Sequence, residues 1–253
     1  MPDFLILGAA RCGTTSLFRY LQQHAQVLPS RRKELHFFDL HYQQGTAWYA
    51  AQFVPPSLRG AQFITGEATP SYLYHPLVAA RVRAALPDVR LIVTLRDPVE
   101  RAISHHAHNV FHGYETLPLA EALAREPERL AGEEERILAD ATYTSVAYLY
   151  HSYAARGRYA EQLRRWLALF PAEQLCVIVF EELRAQPQAT LVQLCRFLGL
   201  PEQPFDTQVR HNARPRTLPQ ADVICQLAAS FHAPNRELEA LLGRSVGWNT
   251  HAA

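Results

Sequence analysis

Lysine is almost missing from this chain: Lys33 is the only one among 25 Lys and Arg residues. A phosphate site that needs a lysine at a fixed loop position is thereby excluded everywhere but there, and arginine has to serve instead. Cysteine is scarce, four in 253 residues, at positions 12, 176, 195 and 225. None stands in a C-x-x-C spacing, which argues against a zinc site and a disulfide framework. No apolar run approaches the ~18 residues of a membrane-spanning helix. The first apolar run is too short for a secretory signal and has no basic residue ahead of it. No membrane span and a cytoplasmic location are expected. The formal net charge is only +1, so no global field points to nucleic acid and any anion site has to be local. Repeats and low-complexity linkers are absent as well, and a single domain over 1–253 is expected, with a helical lid or acceptor region over about 112–158.

What is present alternates. Phe4 to Leu7 is a short continuous apolar run before a glycine turn, the pattern of a buried parallel strand. Thr14 to Gln23 has helical spacing. Phe63 to Thr65 reads as a short strand, Leu77 to Leu86 as a helix closed by Pro87-Asp88, and Leu91 to Leu95 as the clearest strand. Pro98 to Val110 follows as a helix with proline in its first turn. Leu119 to Ala141 reads as one charged, solvated helical element, Tyr159 to Phe170 as an amphipathic helix, Leu175 to Phe180 as a strand and Ala189 to Leu198 as a helix. Alternating strands and helices predict a three-layer α/β/α fold with a mainly parallel sheet. Ligands of such sheets bind at the carboxyl ends of strands, where the loops after Leu7 and Leu95 lie.

The loop after the first strand reads LGAARCGTTSL, residues 7–17. Gly8, four residues, Gly13, Thr14 and Thr15 reproduce the frame G-x-x-x-x-G-K-[ST] with threonine in place of lysine. Two glycines let successive N–H groups of Arg11, Cys12, Gly13 and Thr14 converge on an anion, and the following helix adds its positive end. Thr14, Thr15 and Ser16 add hydroxyls, and Arg11 supplies a charge. Without the lysine, the loop fits a phosphate-like group better than triphosphate hydrolysis. A ligand-free glycine turn is the competing reading. A second anion site is suggested by LIVTLRDPVERAISHH, residues 91–106. Arg96 at a strand end and Ser104 eight residues on, along a helix, can converge on a second phosphate. Here the competing readings are an Arg96–Asp97 ion pair, a solvent-facing serine, and an apolar strand ending in Asp97 as a metal platform, for which an Arg-Asp-Pro turn is poorly suited.

Taken together these two loops resemble the sulfotransferases that use 3′-phosphoadenosine 5′-phosphosulfate (PAPS) and release 3′-phosphoadenosine 5′-phosphate (PAP). AARCGTTSL is similar to that family's 5′-phosphosulfate loop, and Arg96 with Ser104 to its 3′-phosphate site. KELHFFDLHYQQGTAWYAAQF (33–53), GEATPSYLY (66–74) and SFHAPNRELEALLGRSVGWN (230–249) resemble blocks of the heparan-sulfate-type branch, so the likeness runs from residue 4 to 249 in order. The resemblance implies the three-layer core, PAPS as co-substrate without a metal, and a small-molecule or glycan acceptor.

The resemblance also implies roles. Glu34 matches the family's general base, although an ion pair with Lys33 would equally account for a carboxylate there. Arg11 stands where the heparan-sulfate-type enzymes have lysine, and its very high pKa restricts it to a fixed charge and fork donor. Ala68 replaces the lysine of an E-K-T-P pattern and Thr15 replaces an arginine of some members, which bears on acceptor contacts. His36, two residues from Glu34, shares its face if the stretch is extended, and can orient the acceptor or share the base role; packing is the alternative. Asp39 is a further candidate for placing the acceptor. The basic loop RHNARPR (210–216) matches a late donor-closing loop, with Arg214 first and Arg216 second. His105, His106 and His108 lack a carboxylate at ligand spacing, so no metal is expected. Tyr143, Tyr148, Tyr150 and Tyr153 line an acceptor cleft or simply pack. Two other classes stay open: a P-loop kinase or other NTP-binding enzyme, and a nucleotide-binding module that has lost catalysis.

Overall fold

The computed structural model describes residues 1–208 and 219–248. They group into two compact units, 1–95 with 166–208, and 96–165 with 219–248. The first holds the whole sheet: β1 (Phe4–Gly8), β2 (Val27–Pro29), β3 (Ile64–Ala68), β4 (Arg90–Leu95) and β5 (Leu175–Val179). All pairings are parallel, in the order β2-β3-β1-β4-β5. The sheet is therefore wholly parallel rather than mainly so. β1 is apolar throughout, and β4 carries the apolar run Leu91 to Val93 with Leu95, because both faces are covered, as parallel strands require. Phe4, Ile6, Ile92 and Ile178 pack with Leu17 and Phe18 of α1 (Thr14–Leu21) and with Leu191 and Leu194 of the last helix of this unit. Each such buried side chain contributes about 1.5–3 kcal/mol relative to exposure. Residues 42–58 fold into short turns and the helix α2 (Gly45–Ala50), and α3 (Val78–Ala85) precedes β4.

The second unit is helical, with α4 (Pro98–Phe111), α5 (Leu119–Leu130), α6 (Glu133–Ala139), α7 (Val146–Tyr150), α8 (Tyr159–Leu167, its first residues) and α11 (Ala221–Leu242); α9 (Phe180–Ala185) and α10 (Pro187–Leu198) complete the first unit. Leu119 to Ala141 is two helices, not one: Gly132 at φ 73° leaves the right-handed region and restarts the helix as the N-cap of α6. Three local assignments also differ. β3 runs on to Ala68, past the expected end at Thr65, because Phe4, Leu5 and Ile6 of β1 pair with Gly66, Glu67 and Ala68. Phe180 opens α9 instead of closing β5. β2, a three-residue edge strand, has too little pattern to read and ends in Pro29, which an edge tolerates.

Residues 230–248 of the block at 230–249 pack within the second unit. A Cβ on Gly157 would meet the ring of Phe231 at 2.7 Å and Pro98 at 2.9 Å. The ring centroids of Trp248 and Tyr159 are 5.8 Å apart, and Glu239 ties down Ser245 and Val246. Among the described residues no helix is long and apolar enough to cross a membrane.

Candidate active site

The loop after β1 is held from its neighbour β4. Ala9 N donates to Thr94 O at 2.7 Å and Thr94 Oγ1 to Gly8 O at 3.1 Å. The β1–β4 register slips between Ile6 and Gly8, which turns the loop out of the sheet. Both glycines are sterically required. A Cβ on Gly8 would lie 2.9 Å from Pro70 O, and one on Gly13, at φ 82°, 2.6 Å from the Phe180 ring. Gly13 is the N-cap of α1 and offers no side-chain cap. The first-turn N–H groups of Thr14, Thr15 and Ser16 therefore head an eight-residue helix with no side-chain acceptor over them among the described residues, the arrangement that receives an anion. Thr14 is buried, Thr15 and Ser16 half-buried, and Cys12 fully buried with its thiol 3.7 Å from Ala10 O. Arg11 is half-buried at φ 71°.

Glu34 and His36 have left-handed backbone in an irregular segment, not the extended stretch that the spacing suggested. Their φ values are 59° and 52°. With Arg11 they are the three non-glycine residues at positive φ among the described residues, each such position costing about 1–3 kcal/mol. The side chains nonetheless converge: Glu34 Oε2 is 4.0 Å from His36 Nε2, and Glu34 Oε1 is paired with Lys33 Nζ. The Lys33 pair expected as the alternative role for Glu34 is thus present, and it occupies one carboxylate oxygen. His36 Nδ1 lies 2.9 Å from Asp39 Oδ2, which Ser71 Oγ also reaches at 2.5 Å. Burial works against the His36 cation, yet the hydrogen bond and charge of Asp39, with Glu34 and Glu67, raise its pKa overall. Burial likewise opposes ionised Asp39, and His36 and Ser71 outweigh it and lower its pKa. The pair is a carboxylate-backed imidazole.

Beneath this lies a residue that the sequence reading passed over. Glu67, fully buried at the end of β3, accepts from Tyr49 Oη at 2.7 Å, Tyr72 Oη at 3.0 Å and Thr69 Oγ1 at 2.6 Å. Burial raises its pKa against the pull of these hydroxyls. The usable signal is a glutamate at a strand end, with a hydroxyl two and five residues on, inside GEATPSY.

In the second unit, Arg96 pairs with Glu100 at 2.9 Å rather than with Asp97. Asp97 instead caps α4, its Oδ1 accepting from Val99 N at 2.9 Å and Glu100 N at 3.0 Å. Arg96, Glu100 and Ser104 succeed one another at i, i+4 and i+8, Arg96 O accepts from Tyr159 Oη at 2.8 Å, and Ser104 is half-buried. His106 is spent on Leu117 O and His105 on Arg101, and no group of three or more His, Cys, Asp or Glu able to hold a metal occurs among the described residues. The tyrosines pack: Tyr143, Tyr148 and Tyr153 donate to Glu133, Glu134 and Glu115, and Tyr150 lies against Tyr114 with centroids 4.3 Å apart. Arg214 and Arg216 lie outside the described residues.

The sulfotransferase domain family matches residues 1–215. The chain is 27% identical over 318 residues to the membrane-associated sulfotransferase kil1 of Dictyostelium discoideum, covering 98% of this chain and 66% of that protein. It is 30% identical over 273 residues to heparan sulfate glucosamine 3-O-sulfotransferase 3B1 of Mus musculus, covering 98% of this chain and 65% of that one. It thus spans less than two thirds of the length of these curated relatives. A solved sulfotransferase from Alicyclobacillus acidocaldarius is 33% identical, covers 97% of each chain and superposes with a TM-score of 0.77. The glycine loop, the parallel sheet and these matches agree, and the chain belongs to the sulfotransferase domain family.

Proposed function

We propose that the protein is an enzyme that transfers the sulfuryl group of PAPS to a hydroxyl of an acceptor, or in second place to an amine, and releases PAP. The observation that carries this reading is the pairing of an uncapped helix N-terminus at Gly13 with Glu34 and His36, two chemically active side chains held at positive φ in the same unit. The N–H groups of residues 11–16 would hold the 5′-phosphosulfate. That loop has no space for a side chain at either glycine, and its helix end lacks any competing carboxylate cap. Arg96 and Ser104 would hold the 3′-phosphate, and Arg214 and Arg216 would add charge over the donor. When bound, the donor supplies an activated sulfuryl group with a phosphate as leaving group.

Glu34 takes the proton of the acceptor hydroxyl as its oxygen bonds to sulfur and the bond from sulfur to the phosphate oxygen breaks. Lys33 holds one oxygen of Glu34 and leaves the other facing His36. His36, backed by Asp39, orients the acceptor oxygen or accepts the proton from Glu34. Arg11 and the end of α1 meet the charge that grows on the leaving phosphate, so the scheme calls for no metal. Heparan sulfate stands in the names of several relatives, which makes carbohydrate the first acceptor class to try. The absence of a disulfide among the four cysteines supports a reducing, cytoplasmic setting.

The test is transfer of radiolabelled sulfate from PAPS to a panel of sugar, lipid and phenolic hydroxyl acceptors, with Glu34→Gln and Arg96→Ala as controls. Transfer by the wild type that falls in both variants supports the reading. PAP binding with no transfer to any acceptor would favour a binding module that has lost catalysis.

A further inference from the structure

Residues 34–38 present five consecutive backbone N–H groups, and every one ends on the segment 67–72. Glu34 N donates to Ala68 O at 3.2 Å, Leu35 N to Glu67 Oε2 at 3.4 Å and His36 N to Thr69 Oγ1 at 3.5 Å. Phe37 N and Phe38 N both donate to Tyr72 Oη, at 2.9 and 3.3 Å. The acceptors are chained in turn. Thr69 Oγ1 and Tyr72 Oη give their own protons to the two oxygens of Glu67. The segment itself is pinned to β1, Thr69 N donating to Ile6 O at 3.1 Å and Leu73 N to Leu7 O at 2.9 Å.

We propose that Glu67, Thr69 and Tyr72 are positioning residues for sulfuryl transfer: together they template the backbone of 34–38 and so fix where the Glu34 carboxylate and the His36 imidazole stand. This rests on the reading of Glu34 and His36 as the reacting side chains. Two residues at positive φ, separated by one, persist only where their surroundings over-determine them. Here neither helix nor strand does so, and the five bonds to 67–72 do. The donor count makes the template specific. Tyr72 Oη has one proton and two lone pairs, and all three are used. Glu67 receives three hydroxyls and one amide, and no cation pairs with it among the described residues. An amide in its place would turn one acceptor oxygen into a donor facing groups that also donate. The conformation of Glu34 and His36 is thus written by bonds that span 32 to 35 residues of the chain.

The test uses the full chain with Tyr72→Phe, Thr69→Val and Thr69→Ser. The ring titration of His36 is followed by ¹⁵N-edited NMR, assigned with His36→Gln, and needs neither donor nor acceptor. The charged groups acting on that ring are Asp39, Glu34 and Glu67. Calorimetry with PAP reads the donor loop, and release of PAP from PAPS, with 4-nitrophenol or water as acceptor, reads turnover. Tyr72→Phe is expected to move the His36 midpoint by about half a pH unit or more toward that of free histidine. It is also expected to cut kcat about tenfold while the PAP dissociation constant stays within about twofold. Thr69→Val should do the same to a smaller extent, and Thr69→Ser should restore both. An unmoved His36 midpoint in folded Tyr72→Phe, or a parallel fall in PAP affinity, overturns the proposal. If Tyr72→Phe does not fold, the Thr69→Val and Thr69→Ser pair decides in the same way. A wild type that never turns over donor refutes the reading of Glu34 as base, while the His36 titration still judges the template.

Discussion

The donor loop and the base segment both sit in the first unit, and they are built by opposite means. Residues 8–16 are shaped from within. Two glycines, a strand before and a helix after set most of the path, and Thr94 of the neighbouring strand holds Gly8 and Ala9 in place. Residues 34–38 have no such local code. Two non-glycine residues take up left-handed backbone there, and the amides of residues 34–37 end on Ala68 O, Glu67, Thr69 and Tyr72. A short loop can hold an anion with its own backbone, whereas a proton-transfer pair has to be aimed, and the aim comes from another part of the chain. The contrast predicts that damage to one region leaves the other working.

Glu34→Gln should have the largest effect, lowering transfer on the order of 10²–10⁴-fold while PAP binding is kept; initial rates with labelled PAPS, beside calorimetry, check both halves. Gly13→Ala should show the reverse pattern. Its Cβ would collide with the Phe180 ring at φ 82°, and the strain costs about 1–3 kcal/mol. PAP affinity should fall about tenfold or more, which corresponds to ~1.4 kcal/mol, whereas the His36 titration should stay in place.

Asp39→Asn tests the base segment through pH. His36 has its pKa raised in the fold, so its contribution is complete below its unfolded value of 6.5 and is lost as pH rises through the folded value. Asp39 has its pKa lowered, so its contribution is present above 3.8 and is lost as pH falls through the folded value. The pair therefore stabilises most between those limits. Urea unfolding should show Asp39→Asn less stable by about 1–3 kcal/mol at pH 5, with a smaller gap at pH 9.

The smallest effect sharpens the comparison with the second unit. Glu115 is a buried hub like Glu67, but Arg129 lies on it at 2.6 Å. Burial is outweighed there by Arg129 and the amides of Leu117 and Thr116, and its pKa falls to about 2. Its stabilisation is present above 4.5 and drains away as pH falls toward 2. Glu67, raised by burial, slopes the other way. Glu115→Gln should therefore flatten the loss of melting temperature below pH 4, and Glu67→Gln should not.

The sheet was legible because β1 and β5 are continuous apolar runs, β4 is built on the apolar run Leu91 to Val93, and Gly8 and Gly13 punctuate the first turn. Arg11, Thr14, Thr15 and Ser16 could be named from the same local pattern. The conformation of Glu34 and His36 could not, since positive φ at these residue types is imposed by bonds to 67–72 and leaves no mark at 34–38. Spacing read the stretch as extended, and the convergence of the two side chains survives for a different reason. The break in 119–141 turned on Gly132 alone, one residue inside an otherwise helical charge pattern.

The most direct measurement of the central claim is calorimetric titration of the wild type with PAP, beside ATP with magnesium, repeated on Arg96→Ala. Tight binding of PAP without magnesium, weakened in the variant, and little affinity for ATP are expected. Binding of ATP with magnesium and no preference for a 3′-phosphate would contradict it.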